Sequence, residues 1–201
     1  MGQNLRWVVD IDISKYFDSI DHTHLRGFLD QRVKDGVVRK MIDKWLKAGV
    51  LDEGVLSRAA ADGTPQGGVI SPLLSNLYLH YVLDEWFETV AKPRLLGRCL
   101  LIRYADDCVM AFEDRASGLK MLDVLGKRLE RYGLTLHPTK TRFVDFRPTP
   151  PKGGPFDGAT ETSFDFLGFT HVWGKSRKGK DVVWQTTAKS RLARALASVT
   201  E

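Results

Sequence analysis

Tyr104-Ala105-Asp106-Asp107 stands between two apolar runs, Leu100-Leu101-Ile102 and Cys108-Val109-Met110-Ala111-Phe112. Strand-forming residues on both sides of a short polar break read as a β-hairpin with the acids at its turn. Adjacent carboxylates repel, and burying either one unpaired is costly, so the pattern makes chemical sense where a divalent cation neutralises them. An oxygen-only donor set points to magnesium or manganese. In isolation the same four residues describe an acidic surface turn.

Upstream, Trp7-Val8-Val9-Asp10-Ile11-Asp12-Ile13 is an apolar strand that runs into a third candidate acid, Asp12, with the aromatic Phe17 five positions later. A strand lying beside the hairpin would bring Asp12 to the same cation from another direction. Asp10, two residues earlier on the same face, is the competing ligand on spacing alone.

Three further blocks follow in order: Gly63-Thr64-Pro65-Gln66-Gly67-Gly68 with Val69 to Asn76, then Tyr132-Gly133-Leu134-Thr135-Leu136-His137-Pro138-Thr139-Lys140-Thr141, then Phe164-Asp165-Phe166-Leu167-Gly168-Phe169. With the acidic blocks they make five ordered motifs over nearly the whole chain, and the chain resembles the palm of a reverse transcriptase. Asp12-Ile13 with Phe17-Asp18, the doubled glycine after Pro65-Gln66, Leu79-His80 with Leu83-Asp84, and Phe166-Leu167-Gly168-Phe169 make it most similar to the group II intron-encoded kind.

The resemblance implies an α+β fold, a right-hand polymerase palm with an antiparallel sheet packed on helices. It places the palm at 1–174 and the start of the thumb connection at 175–201. It further implies that most of the fingers and thumb lie outside these residues, so that this chain alone would extend primers poorly. The implied activity is RNA-directed DNA polymerisation by two-metal nucleotidyl transfer, with a maturase role toward intron RNA. Asp12, Asp106 and Asp107 would hold two magnesium ions, with manganese as a substitute, Asp12 and Asp106 bridging and Asp107 the less essential. The family's aromatic spacing, read from Phe17, favours Asp12 over Asp10.

Phe17 would lie under the incoming sugar and exclude a 2′-hydroxyl, or simply pack in the core. Gln66 and Gly67 would lie against template and nucleotide, although Pro-Gln-Gly-Gly alone is a turn. Lys140 would protonate the leaving pyrophosphate, or stand as an exposed lysine at a strand start. Phe166, Leu167 and Gly168 would form the primer grip while their strand packs by one face. Expected partners are an RNA template, a DNA or RNA primer, deoxynucleoside triphosphates and intron RNA. Two other readings remain: a catalytically silent RNA-binding fragment of such an enzyme, and a cyclic-nucleotide-forming or primase-type palm, which Pro-Gln-Gly-Gly and Phe-Leu-Gly-Phe disfavour.

Composition agrees with a globular, nucleic-acid-handling protein. The 201 residues are 43% hydrophobic with a formal charge of +5, enough for one real core and suited to a polyanionic partner. Cys99 and Cys108 fall in or beside the hairpin strands and read as buried, reduced thiols, which implies a cytoplasmic setting. No apolar run approaches the ~20 residues of a membrane span, and His22, His80 and His137 have no zinc-ligand spacing. Basic clusters at Lys175 to Lys180 and Lys189 to Arg194 read as solvated charge or as contacts to a phosphate backbone.

Local signals add detail. Leu25, Phe28, Leu29 and then Val38, Met41, Ile42, Trp45 give two amphipathic helices. A hairpin turns at Asp52-Glu53-Gly54, Ser71 caps a helix that Pro93 ends, and Asp114 caps another that Gly133 ends. Strands are expected near Leu134 to Leu136 and Arg142 to Phe146, and a surface loop over 147–158.

Overall fold

The computed structural model describes residues 4–47, 50–52, 55–57, 70–148 and 162–200. In chain order the elements are β1 (Trp7–Ile11), β2 (Ile13–Ser14), α1 (His22–Arg32), α2 (Gly36–Lys47), β3 (Val50–Asp52), β4 (Val55–Ser57), α3 (Ser71–Leu79), β5 (Cys99–Tyr104), β6 (Asp107–Phe112), α4 (Arg115–Glu130), β7 (Thr135–Leu136), β8 (Arg142–Asp145), β9 (Phe164–Phe166), β10 (Phe169–Lys175), β11 (Asp181–Thr187) and α5 (Lys189–Thr200). The chain divides into two compact units: Met1–Asp12, Leu95–Asp123 and Pro138–Glu201 form one, and Ile13–Arg94 with Val124–His137 the other.

The first unit holds an antiparallel sheet in the order β5-β6-β1-β8 and a second in the order β11-β10-β9. β1 is central, and all five of its residues are buried. Side chains alternate across a strand, so its two faces carry different work. Trp7, Val9 and Ile11 point one way, with Trp7 stacked on Phe143 at 5.7 Å. Val8 points the other way and joins Val109, Val144 and Phe146, against which Phe164, Phe166 and Trp173 of the second sheet pack. Cys99 and Cys108 are buried cysteines in the hairpin strands, not joined in a disulfide.

Asp114 caps α4 through Ser117 N–H, at 2.7 Å, and Met121 and Leu125 are buried along its inner face while Leu122 is only half-buried. Gly118 lies where the helix meets the aromatic layer. A methyl there would come within 2.7 Å of Phe143 Cε2 and 3.3 Å of Phe112 Cδ2. Alanine improves intrinsic helix propensity by about 1 kcal/mol, but overpacking a filled core costs about 1–3 kcal/mol. Gly118→Ala should therefore lower the urea midpoint by the equivalent of about 1 kcal/mol; a raised midpoint would show that Phe143 yields freely.

The second unit is mostly helical. Asp21 caps α1 by accepting from His24 N–H at 2.9 Å, and the Phe28 ring stacks on Tyr81 at 4.9 Å and meets Tyr78 edge-on at 5.5 Å. The Tyr16 hydroxyl donates to the Ser75 carbonyl. β3 pairs with β4 from Val50↔Ser57 to Asp52↔Val55; Glu53 and Gly54 of the expected turn lie outside the described residues.

Two expectations for the helix after the Pro-Gln-Gly-Gly block need correction. Ile70, not Ser71, is its N-cap; Ser71 is the first helical residue and is buried, with Pro72 beside it. Beyond Leu79 the helix continues as two wider π-type turns, His80–Asp84 and Phe87–Ala91, before a short 3-10 turn over Lys92–Arg94. Wide turns loosen the carbonyl ladder, and Arg128 meets it, donating from Nε to Val82 O at 3.0 Å. The expected loop over 147–158 and the Gly63 to Val69 block lie outside the described residues, apart from Arg147 and Pro148. No described helix is long and apolar enough to cross a membrane.

Candidate active site

One face of the four-stranded sheet is built in rows. Register pairs Val8 with Ala111 on one side and Val144 on the other, and Asp10 with Val109 and Arg142. Continuing both registers one residue past Ile11 sets Asp12 between Asp107 and Lys140. Same-face rows are about 7 Å apart, so the face changes within roughly 14 Å from an apolar floor, through an ion pair, to a group of charged side chains.

The third row is held by specific bonds. Thr141 Oγ1 accepts from Asp12 N–H at 3.3 Å and donates to Asp12 O at 3.1 Å, so a side chain takes over where the β1–β8 ladder ends. Lys140 Nζ lies 3.6 Å from Asp12 Oδ2. Asp107 Oδ2 accepts from the backbone N–H of Leu167 at 2.9 Å. Burial raises the Asp107 pKa, against the lowering effect of that hydrogen bond, and the charges of Asp106, Asp12 and Asp165 push it further up. Crowded carboxylates of this kind favour a cation among them.

Asp106 occupies the exposed tip of the hairpin. Tyr104 pairs with Asp107, leaving Ala105-Asp106 as a two-residue turn with Ala105 at φ 55°. A left-handed first turn residue matches the twist of a hairpin but normally belongs to glycine. The opposing Phe166–Phe169 turn repeats the device, with Leu167 at φ 54° and Gly168 at φ 79°. Asp12, Asp107, Asp165, Lys140, Arg142, Phe166, Leu167 and Gly168 line a cavity of about 470 Å3.

The middle row explains Asp10. Arg142 donates from Nη2 to Asp10 Oδ2 at 2.6 Å, and burial nevertheless pushes the Asp10 carboxyl up from 3.8 to about 6. An acid whose folded pKa exceeds its unfolded one favours folding below the unfolded pKa and loses that contribution as pH rises through the folded value. Relative to Asp10→Asn, the wild type should thus lose about 2–3 kcal/mol of unfolding free energy between pH 3.5 and pH 7. A flat difference across that range, measured by urea unfolding, would contradict the burial account.

The structure thus brings together Asp12, Asp107, Lys140, Phe166, Leu167 and Gly168, with Asp106 on the tip above them. Phe17 belongs to the other unit, half-buried in a single 3-10 turn, Tyr16–Ser19, with its ring 5.3 Å from Tyr16. Gln66 and Gly67 lie outside the described residues. Among the described residues no three histidine, cysteine or acidic side chains stand as a ready-made metal cage; the donors near Asp12 and Asp107 are carboxylate oxygens, which suit a hard divalent cation. Sequence reasoning passed over Thr141, Arg142 and Asp165. The signal for Arg142 was present, since a cation inside the apolar run Phe143-Val144 requires a buried partner.

Comparison with known proteins bears directly on this arrangement. Residues 1–171 match the family model described as reverse transcriptase (RNA-dependent DNA polymerase). The chain belongs to the reverse transcriptase family. Protein YkfC of Escherichia coli is 31% identical over 224 residues, covering 97% of this chain and 54% of that protein. Group II intron-encoded protein LtrA of Lactococcus lactis is 47% identical over 75 residues, 37% of this chain and 12% of the relative. The likeness to LtrA agrees with the motif blocks on the group II intron-encoded type. The chain spans about half the length of YkfC and less of the others. Apo telomerase from Candida tropicalis superposes with a TM-score of 0.64 at 14% identity, covering 90% of this chain and 36% of that one. The fold of this reverse transcriptase chain is the α+β palm.

Proposed function

We propose that this chain is the catalytic palm of an RNA-directed DNA polymerase of the group II intron type. The observation that carries the reading is the third row of the sheet face, where Asp12 and Asp107 lie opposite one another beside Lys140 and beneath the Phe166–Phe169 turn. Asp12, Asp106 and Asp107 would hold two magnesium ions, with manganese as a substitute. Bound there, the ions would stabilise the attacking 3′-hydroxyl oxygen and the leaving oxygen of an in-line displacement.

The chain's own groups do the rest. Lys140, held near the cavity by Asp12, donates a proton toward the departing pyrophosphate. Phe166, Leu167 and Gly168 seat the primer terminus, and the rigid sheet beneath them fixes its direction of attack, the positioning on which phosphoryl transfer chiefly depends. Phe17 excludes a ribose 2′-hydroxyl by bulk, Gln66 and Gly67 meet template and nucleotide, and residues 175–201 lead toward the thumb. The partners are an RNA template, a primer, deoxynucleoside triphosphates and intron RNA bound in a maturase role, in a cytoplasmic setting.

The test is primer extension on an RNA template with magnesium, by this chain alone and by a full-length group II intron-encoded relative carrying it in place of the matching segment. The chimera should synthesise DNA. A folded chimera that binds RNA and never extends would replace this reading with a silent RNA-binding one.

A further inference from the structure

The sheet β9-β10-β11 has a second face that its core packing leaves open. Phe164, Phe166 and Trp173 point inward, so their neighbours point out. Register sets the outward rows: Asp165, Thr170 and Thr186 first, Val172 and Trp184 next, then Gly174 and Val182. Asp165 at one end lines the acidic cavity. Beyond the other end the strands close through Ser176-Arg177-Lys178-Gly179-Lys180, whose three cations are exposed.

Trp184 lies between these ends and is 52% exposed. Gly174 fixes how its ring lies. A Cβ on Gly174 would fall 2.8 Å from both Cδ1 and Nε1 of Trp184 and 3.3 Å from Cε2. The five-membered ring therefore lies over the bare Gly174 backbone, and only the absence of a side chain permits it. One π-face is seated on the sheet while the other remains available. An aromatic face held flat beside a cluster of cations is the pairing that single-stranded nucleic acid uses, bases on the ring and phosphates on the cations.

We propose that this face is a stacking platform for unpaired RNA, with Trp184 carrying a base and Arg177, Lys178 and Lys180 following the phosphates. The inference rests on the polymerase reading for its choice of strand: of the nucleic acids in that reaction, the RNA is the one that enters with unpaired bases. Charge sets the direction, since phosphates are drawn to the basic turn and repelled by Asp165. About 7 Å separates Trp184 from the Asp165 row, roughly the reach of one nucleotide, so a base stacked there would stand close to the cavity.

The experiment measures binding of the 201-residue chain to dye-labelled single-stranded RNA by anisotropy over a range of salt, with a blunt RNA duplex and a single-stranded DNA of the same sequence beside it. Trp184→Ala should weaken single-stranded RNA binding by about 5- to 100-fold, leave the salt slope unchanged and leave the duplex unaffected. Trp184→Phe should restore most of the loss, and Gly174→Ala should reproduce part of it by lifting the ring. Lys178→Ala with Lys180→Ala should instead flatten the slope of log K against log salt by about 1.4.

No loss with Trp184→Ala, an equal loss on the duplex, or a loss confined to DNA would overturn the proposal. So would a wild-type chain that fails to bind the strand, or a self-association in sedimentation that Trp184→Ala abolishes, since the face would then dock protein. Circular dichroism and the Trp184→Phe rescue guard against misfolding. The chimera separates the two readings: Trp184-dependent binding in a folded chimera that never polymerises would sink the polymerase reading alone, and Trp184-independent binding in an active chimera would sink the platform alone.

Discussion

Asp106→Ala in the chimeric full-length enzyme is expected to reduce primer extension by at least about 10^3-fold while leaving thermal unfolding almost unchanged. The first half follows from the proposed role: removing a ligand that organises charge at the reacting phosphate costs several kcal/mol of transition-state stabilisation, and about 4 kcal/mol corresponds to three decades. The second half follows from position. Asp106 is exposed at the hairpin tip, where substitutions away from special features shift stability by ~0.5 kcal/mol or less. Calorimetric titration of manganese into the 201-residue chain should show a site that Asp106→Ala weakens. Full activity in the variant, or equal manganese binding by both proteins, would move the catalytic role elsewhere in the cavity.

Arg142→Ala should be the most destabilising single change at the site. Asp10 is 8% exposed and Arg142 donates to it at 2.6 Å, so losing the guanidinium leaves a carboxylate buried without compensation. Breaking such a pair costs about 3–5 kcal/mol; with the Arg142 side chain 23% exposed the lower end, about 3 kcal/mol, is the expected loss at pH 7. The deficit should shrink toward acid pH, because a protonated Asp10 no longer needs its partner. Replacing both residues, Asp10→Leu with Arg142→Met, should recover most of the stability. A deficit independent of pH would assign the cost to lost packing of the arginine stem instead.

What the sequence disclosed about this site follows from how far apart the interacting residues lie. The hairpin of β5 and β6 was legible because its strands adjoin and a short polar break separates two apolar runs. β1 was legible for the opposite reason, being apolar on both faces apart from Asp10, as a strand buried on both faces tends to be. Its partners were not, because the pairing of Asp10 with Arg142 joins residues 132 apart, and no local pattern fixes the register between strands so distant. The expectation that Asp12 would approach the hairpin from a neighbouring strand came from the apolar run that leads into it. The rows themselves came only with the fold.

The same limit explains the helical errors. Leu74, Leu77, Tyr78 and Tyr81 fit an α-helical stripe, and a helix widened to π-type turns beyond Leu79 presents nearly the same sequence of apolar residues. Ser71 followed by Pro72 satisfies the capping preference, yet Ser71 is buried one position inside, where tertiary packing overrides a propensity worth about 1 kcal/mol. Gly174 carries no local signal of its role, because the Trp184 ring that lies across it belongs to the neighbouring strand.

Ala105 and Leu167 hold left-handed backbone angles at the two turns that bracket Asp107, and each such residue costs of order 1 kcal/mol that glycine or asparagine would relieve. A laboratory selection for heat resistance would therefore find easy gains at these two positions, alanine or leucine giving way to glycine or asparagine. The same exchanges slacken the loops that aim Asp107 and deliver the Leu167 N–H to it, so survivors of that selection should be sturdier proteins and slower enzymes. An engineer wanting a thermostable version would do better to leave both turns untouched and take stability from the exposed apolar side of α5, where Leu192 and Leu196 stand in solvent.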